Sequence, residues 1–175
     1  MNQPCEIVQL GADVLRQISE PVGRVDDPEI KQLISDLQIA LASTEGVGLA
    51  APQISHLKRI IIVASRPSPR YPTAPLMTPT VMINPTFTAL SNVQEKGWEG
   101  CLSIPGIRAL VPRYQSIQAQ YTDEHGNPVE QVLEDFVARV FQHEADHLDG
   151  KVYLDRVENS LDIISESEYF KLFVH

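Results

Sequence analysis

Cysteine is scarce in this chain: two thiols in 175 residues, Cys5 and Cys101, are too few for a disulfide scaffold. Each is therefore available for other chemistry. Long apolar runs are missing as well, since the longest aliphatic stretch, Ile60 to Ala64, falls far short of the ~20 residues that span a bilayer. The opening Met1-Asn2-Gln3-Pro4-Cys5-Glu6 has no basic region leading into an apolar segment, the pattern of a secretory signal. These absences point to a cytoplasmic protein without a membrane partner. Positive charge is also short: 14 Lys and Arg stand against 23 Asp and Glu, a formal charge of −9, so nucleic acid is not expected as a direct substrate. Internal repeats and low-complexity tracts are absent. What is present suits a globular core, with 43% hydrophobic and 21% charged residues, and a length that predicts a single domain over residues 1–175.

Hydrophobic periodicity sketches the fold. Ile30, Leu33, Ile34, Leu37, Ala40 and Leu41 recur at helical spacing, which predicts an amphipathic helix from Pro28 to near Gly46 with Asp26 or Asp27 as its cap. A short helix over Asp13 to Ile18 precedes it. The small residues of Gly46 to Gln53 suit close backbone approach more than a regular element. Arg59 to Ala64 predicts a buried strand, and five prolines between Arg66 and Pro79 predict a surface loop. Val81 to Ala89 and Gln94 to Ser103 follow as extended segments, with a turn at Pro105-Gly106. Ser116 to Thr122 alternates as a half-buried strand, Asp123 to Asn127 turns, and Val129 to Leu133 returns. Glu134 to Leu148 predicts a second helix that Gly150 stops, and Leu161 to Phe173 a terminal one. This order favours a compact α+β fold, with a central metal-binding helix packed against antiparallel strands.

The central helix carries the chemistry. In His143-Glu144-Ala145-Asp146-His147 the two histidines are four residues apart, so their imidazoles share a helix face and can hold one metal ion. Glu144 beside them can move a proton between an activated water and a leaving group. A solvent-facing helix is the bland alternative; Phe136 and Val140 on the same face argue for burial. A catalytic ion needs a third protein ligand and a position open to water. Downstream, Glu158, Glu166, Glu168 and His175 lack the spacing of extended metalloprotease motifs. Upstream stands Cys101, in Glu99-Gly100-Cys101-Leu102-Ser103; most free cysteines are small buried hydrophobes, but the flanking glycine suits a ligand-facing backbone.

Taken with Gly46-Val47-Gly48-Leu49-Ala50-Ala51-Pro52-Gln53, these segments resemble the peptide deformylases, whose motifs read Gly-x-Gly-x-Ala-Ala-x-Gln, Glu-Gly-Cys-x-Ser and His-Glu-x-x-His. The early Gly11-Ala12-Asp13-Val14-Leu15-Arg16 matches a Gly-Asp-Pro-Val-Leu-Arg pattern more loosely. The resemblance implies that Cys101, His143 and His147 hold one divalent metal, ferrous iron in many members, with Zn(2+), Ni(2+) or Co(2+) able to take its place. It further implies that Glu144 is the acid–base group, and that the Gln53 amide and the Leu102 backbone N–H stabilise the oxyanion. The substrates would be N-formyl-Met nascent peptides, hydrolysed to formate and a free amine. Their backbone would pair with Val47, Gly48 and Gly100, their methionine would sit between Val47, Phe136 and Val140, and Arg108 would touch the peptide further along. Some members end in a basic helix thought to approach the ribosome. Here Val157 to His175 carries Glu158, Asp162, Glu166 and Glu168 against Lys171, so any transient ribosome contact is not expected through this acidic tail.

Two other readings fit parts of the pattern. A small zinc endopeptidase would need a downstream third ligand, against which Cys101 argues. A noncatalytic structural metal would need a fourth protein ligand, and Cys5 is the spare thiol.

Overall fold

A computed structural model describes residues 4–173. Met1 to Gln3, the start of the segment weighed as a signal, lie outside them, as does His175. The elements run α1 (Pro28–Ala42), β1 (Gly48–Ala50), β2 (Ile60–Ser65), β3 (Met77–Ala89), β4 (Gln94–Cys101), β5 (Ile104–Tyr114), β6 (Ser116–Thr122), β7 (Pro128–Glu134), α2 (Asp135–Leu148), β8 (Ile163–Ser165) and α3 (Glu166–Phe173). One sheet has the order β1-β2-β3-β6-β7 and a second the order β4-β5-β8, with every pairing antiparallel. This is the expected α+β arrangement.

The aliphatic run of β2 follows from its place in the first sheet. Ile60 and Ile62 face one core with α1, through Leu33, Leu37 and Leu41. Ile61 and Val63 face the other, where Val140, Phe141 and Leu148 of α2 pack. A strand covered on both faces gains from being apolar at every position, which hides the period-two signal. A third cluster, Ile104, Ala109, Val111, Val152 and Tyr153, sits under the second sheet.

Several boundaries differ from the sequence expectation. The first helix stops at Ala42, where Ser43 and Thr44 hydroxyls bond back to the carbonyls of Ala40 and Leu41 and compete with the next helical turn. Gly48–Ala50 is a strand and Ala51–Ile54 a 3-10 turn, although the segment read as irregular. The proline-rich loop ends sooner, because Pro79 lies within β3. The turn near Pro105-Gly106 falls instead at Leu102-Ser103, and both residues belong to the unforeseen strand β5; Pro105 hid it, since proline rarely sits in a strand interior. The predicted terminal helix, Leu161 to Phe173, instead starts in the 3-10 turn Ser160–Asp162 and continues through β8, which pairs Ile163 to Ser165 with Ile107 to Ala109, before α3.

Helix α2 ends where expected. Gly150 has φ +69°, its N–H reaches the His147 carbonyl, and Lys151 N–H closes on Asp146 O at 3.0 Å. A Cβ on Gly150 would lie 2.7 Å from the Arg16 carbonyl oxygen. Gly150→Ala should therefore destabilise the fold by at least about 1–2 kcal/mol, the left-handed penalty of an L-residue, with the clash added. Denaturant unfolding checks this; an unchanged midpoint would contradict the role given to Gly150.

Candidate active site

Helix α2 enters between the two sheets with its last turns buried, so His143, Glu144, Asp146 and His147 are all withdrawn from solvent. Cys101 ends β4 opposite them. One ligand atom from each of Cys101, His143 and His147 lies within 4.8 Å of the others, and Cys101 Sγ is 3.4 Å from His147 Nε2. Burial would push the Cys101 thiol up, but the two imidazoles overcome it and bring the pKa down to about 5. A thiolate with two imidazoles, held this closely, fits a divalent transition metal with room for a further ligand. The orientation of His143 fits it too: its Nδ1 meets Glu99 Oε2 at 2.9 Å, which leaves Nε2 for the site. Tyr153 stacks on the same ring, centroids 5.8 Å apart, and anchors its hydroxyl on the Ile107 carbonyl.

Glu144 is not among the clustered ligands. Its Oε2 is buried without a hydrogen-bond partner, and burial pushes its carboxyl up to about 7. A Cβ on Gly48 would come within 2.8 Å of Glu144 Cγ, so only glycine leaves the carboxylate its place beside β1. Gln53 is fixed from the other side. Its Oε1 accepts from Ala50 N–H at 2.9 Å, which commits Nε2 to donation toward Ser103 Oγ (3.1 Å) and the Cys101 sulfur (3.6 Å).

The cleft over this centre is lined by Val47, Gly48, Gln53, Gly100, Leu102, Arg108, Phe136, Val140, His143 and Glu144, together with Cys101; His147 lies behind it. Leu102 occupies the β4–β5 turn. β1 and β4 each end their sheet, so Gly48 and Gly100 lie on strands with one unpaired side. Arg108 is less open than the sequence suggests: its side chain is 2% exposed and bonds to Glu166 and Tyr71. The tail is not a free acidic face either, because Glu158 and Asp162 pair with Lys96, Glu166 with Arg70 and Arg108, and Glu168 with Lys171.

Sequence reasoning missed the support of the site. Glu99 takes two bonds from Arg113, at 2.9 and 3.1 Å, and one from Arg139 at 3.0 Å. Asp146, inside the histidine motif, accepts from Arg113 at 2.6 Å and from Arg156 at 2.8 and 3.1 Å. Burial opposes the charge on Glu99, yet Arg113 and His143 hold its carboxyl well below the usual range. The available signal was the parity of β5, in which Ala109, Val111 and Arg113 point inward together. An arginine at an inward position requires buried acids.

A helix-borne His-Glu-x-x-His motif beside a low-pKa cysteine defines a candidate metallohydrolase centre. Residues 4–162 match the family model described as polypeptide deformylase. Peptide deformylase 2 of Nostoc sp. is 55% identical over 166 residues, 95% of this chain and 93% of its own. Peptide deformylase 2 of Ralstonia nicotianae is 43% identical over 153 residues, 87% of this chain and 86% of its own. Among solved structures, a class I type b peptide deformylase from Acinetobacter baumannii with Met-Ala-Ser bound aligns with a TM-score of 0.86 at 40% identity, over 90% of this chain and 100% of that one. A peptide deformylase from Synechococcus elongatus in complex with actinonin gives 0.81 at 36%, over 98% and 87%. The chain belongs to the polypeptide deformylase family. It is a deformylase enzyme, acting on peptides that begin with formylmethionine, with a metal cofactor.

Arg113→Met would leave Glu99 and Asp146 buried with fewer partners. Losing one partner of a buried pair costs about 3–5 kcal/mol, and the remaining arginines place this case near the lower bound, about 3 kcal/mol. Chemical denaturation measures it; a neutral effect would show that Arg139 and Arg156 suffice.

Proposed function

We propose that Cys101, His143 and His147 hold one Fe(2+) ion, for which Zn(2+), Ni(2+) and Co(2+) fit the same donors, and that the chain works as one catalytic unit in the cytoplasm. The observation that carries this reading is the convergence of three donor atoms within 4.8 Å beside a buried, unpartnered Glu144 oxygen. The bound ion supplies Lewis acidity, which polarises a carbonyl and makes water a stronger acid. Every other part of the reaction falls to this chain. The formylated peptide lies between β1 and β4 as an added strand, its main chain bonded to Val47, Gly48 and Gly100. A relative of the same fold binds Met-Ala-Ser, a tripeptide beginning with the methionine that deformylation leaves. Val47, Phe136 and Val140 wall the methionine side chain, while Arg108 borders the path of later residues.

Glu144 accepts a proton from the attacking water and returns it to the departing amine nitrogen, so that water and formamide become formate and a free N-terminus. A carboxyl lifted to about 7 suits both halves of that transfer near neutral pH. As the formyl oxygen gains charge, the Gln53 amide and the Leu102 N–H donate to it. Gln53 needs no reorganisation, because Ala50 N–H already holds the far end of its amide. Contact with the ribosome, if transiently made, uses another face than the C-terminal segment, where Glu158 and Asp162 pair with Lys96 and the α3 carboxylates with Arg70, Arg108 and Lys171.

Glu144→Gln should keep its metal and lose roughly two to four orders of magnitude in formate release. Elemental analysis alongside a formate assay tests both halves, and near-normal turnover would remove Glu144 from the mechanism. Gln53→Ala should lower kcat with little change in KM, by the equivalent of about 2.7–4 kcal/mol. A pure KM effect would place Gln53 in ground-state binding.

A further inference from the structure

The far wall of the cleft is built by two segments that the reaction leaves unused. The loop at 66–76 brings Arg70 and Tyr71, and α3 brings Glu166 from beyond residue 162, where the family match ends, with Tyr169 packed behind it. Both segments converge on Arg108. Its Nε donates to Glu166 Oε2 at 2.9 Å and its Nη1 to the Tyr71 hydroxyl at 2.6 Å. The guanidinium carbon lies 5.5 Å from the Tyr71 ring centroid and 5.3 Å from that of Tyr169, within cation–π range. The second oxygen of Glu166 faces Arg70 Nη2 at 3.4 Å, and the Tyr169 hydroxyl donates to the Arg70 carbonyl at 3.1 Å. One carboxylate thus serves two guanidinium groups. Gly100 admits the assembly, since a Cβ there would lie 2.8 Å from Arg108 Cζ.

This places a buried cation directly against the strand whose free edge borders the cleft. An unmasked guanidinium there would favour peptides carrying a carboxylate near it and disfavour those carrying an amine. An enzyme that meets newly made chains of every sequence gains from suppressing that bias. Glu166 does so by occupying Arg108 and lowering the local charge from two cations to one net positive charge.

We propose that Glu166 is a specificity-determining positioning residue, which fixes Arg108 along β4 and masks its charge so that residues following methionine are accepted irrespective of sign. The proposal rests on the reading that the peptide runs past Gly100. It also assigns α3 a place in the substrate cleft.

The test compares kcat/KM for formyl-Met-Ala-X amides, with X as Asp, Ala or Lys, and for the same replacements at the second residue. In Glu166→Gln the Asp-to-Ala ratio should rise about five-fold at low salt, equivalent to about 1 kcal/mol, and the Lys-to-Ala ratio should fall. Raised salt should shrink both changes. Glu166→Asp, which keeps the charge, should restore the wild-type ratios, and adding Arg108→Gln to Glu166→Gln should abolish the acidic preference. Unchanged ratios in Glu166→Gln, or an equal loss for all peptides, would overturn the proposal and leave Glu166 a purely structural contact. Absence of formate release from every peptide by metal-loaded wild-type enzyme would count against the catalytic reading instead.

Discussion

A carboxylate buried as deeply as Glu99 stays charged only if several cations meet it, and much of this architecture exists to bring them there. Arg113 comes from β5, Arg139 and His143 from α2, and all three bond to the same two oxygens. The contact ties the second sheet to the helix that packs on the first. It also sets the imidazole of His143, because a ring whose Nδ1 is engaged by a carboxylate presents Nε2 in one direction. Asp146 repeats the device one turn along, sharing Arg113 and adding Arg156. Cys101, two residues from Glu99, reaches its partners because that network fixes β4 against α2.

The same packing explains why glycine and small residues surround the site. Gly48 yields its side-chain volume to Glu144, and Gly100 yields its own to Arg108. Each lies on an edge strand, so the lost side chains also leave main-chain groups open to an incoming peptide. The Glu144 carboxylate and two open strand edges are thus brought together by the same absence of Cβ atoms. The Gln53 amide beside them is fixed by Ala50 and Ser103.

Elements with a clear period were legible in the sequence. α1 and α2 showed their periods, β6 alternated cleanly, and the motif segments supplied Gln53 and the three side chains that converge, Cys101, His143 and His147. β5 was not legible, because Pro105 and Gly106 mimic a turn and because its inward arginine reads as a solvent residue when its acidic partners are distant in sequence. Glu99 and Asp146 lay in plain sight within the motifs, yet their role depends on contacts across 14 and 33 positions to Arg113. The tail's contacts were hidden for a related reason: net charge describes a segment in isolation, whereas Glu166 is committed to two arginines from other parts of the chain. Local pattern reveals which side chains face inward; it does not reveal which of them meet.

The central claim is that one sulfur and two imidazole nitrogens of this chain hold a single divalent metal next to a carboxylate that is not a ligand. X-ray absorption of anaerobically purified protein, with metal quantified on the same sample, addresses it directly. The account predicts one equivalent of metal per chain with one sulfur scatterer and two imidazoles among its ligands, lost together in Cys101→Ala. A stoichiometric metal with no sulfur ligand, or a spectrum unchanged by that substitution, would contradict it.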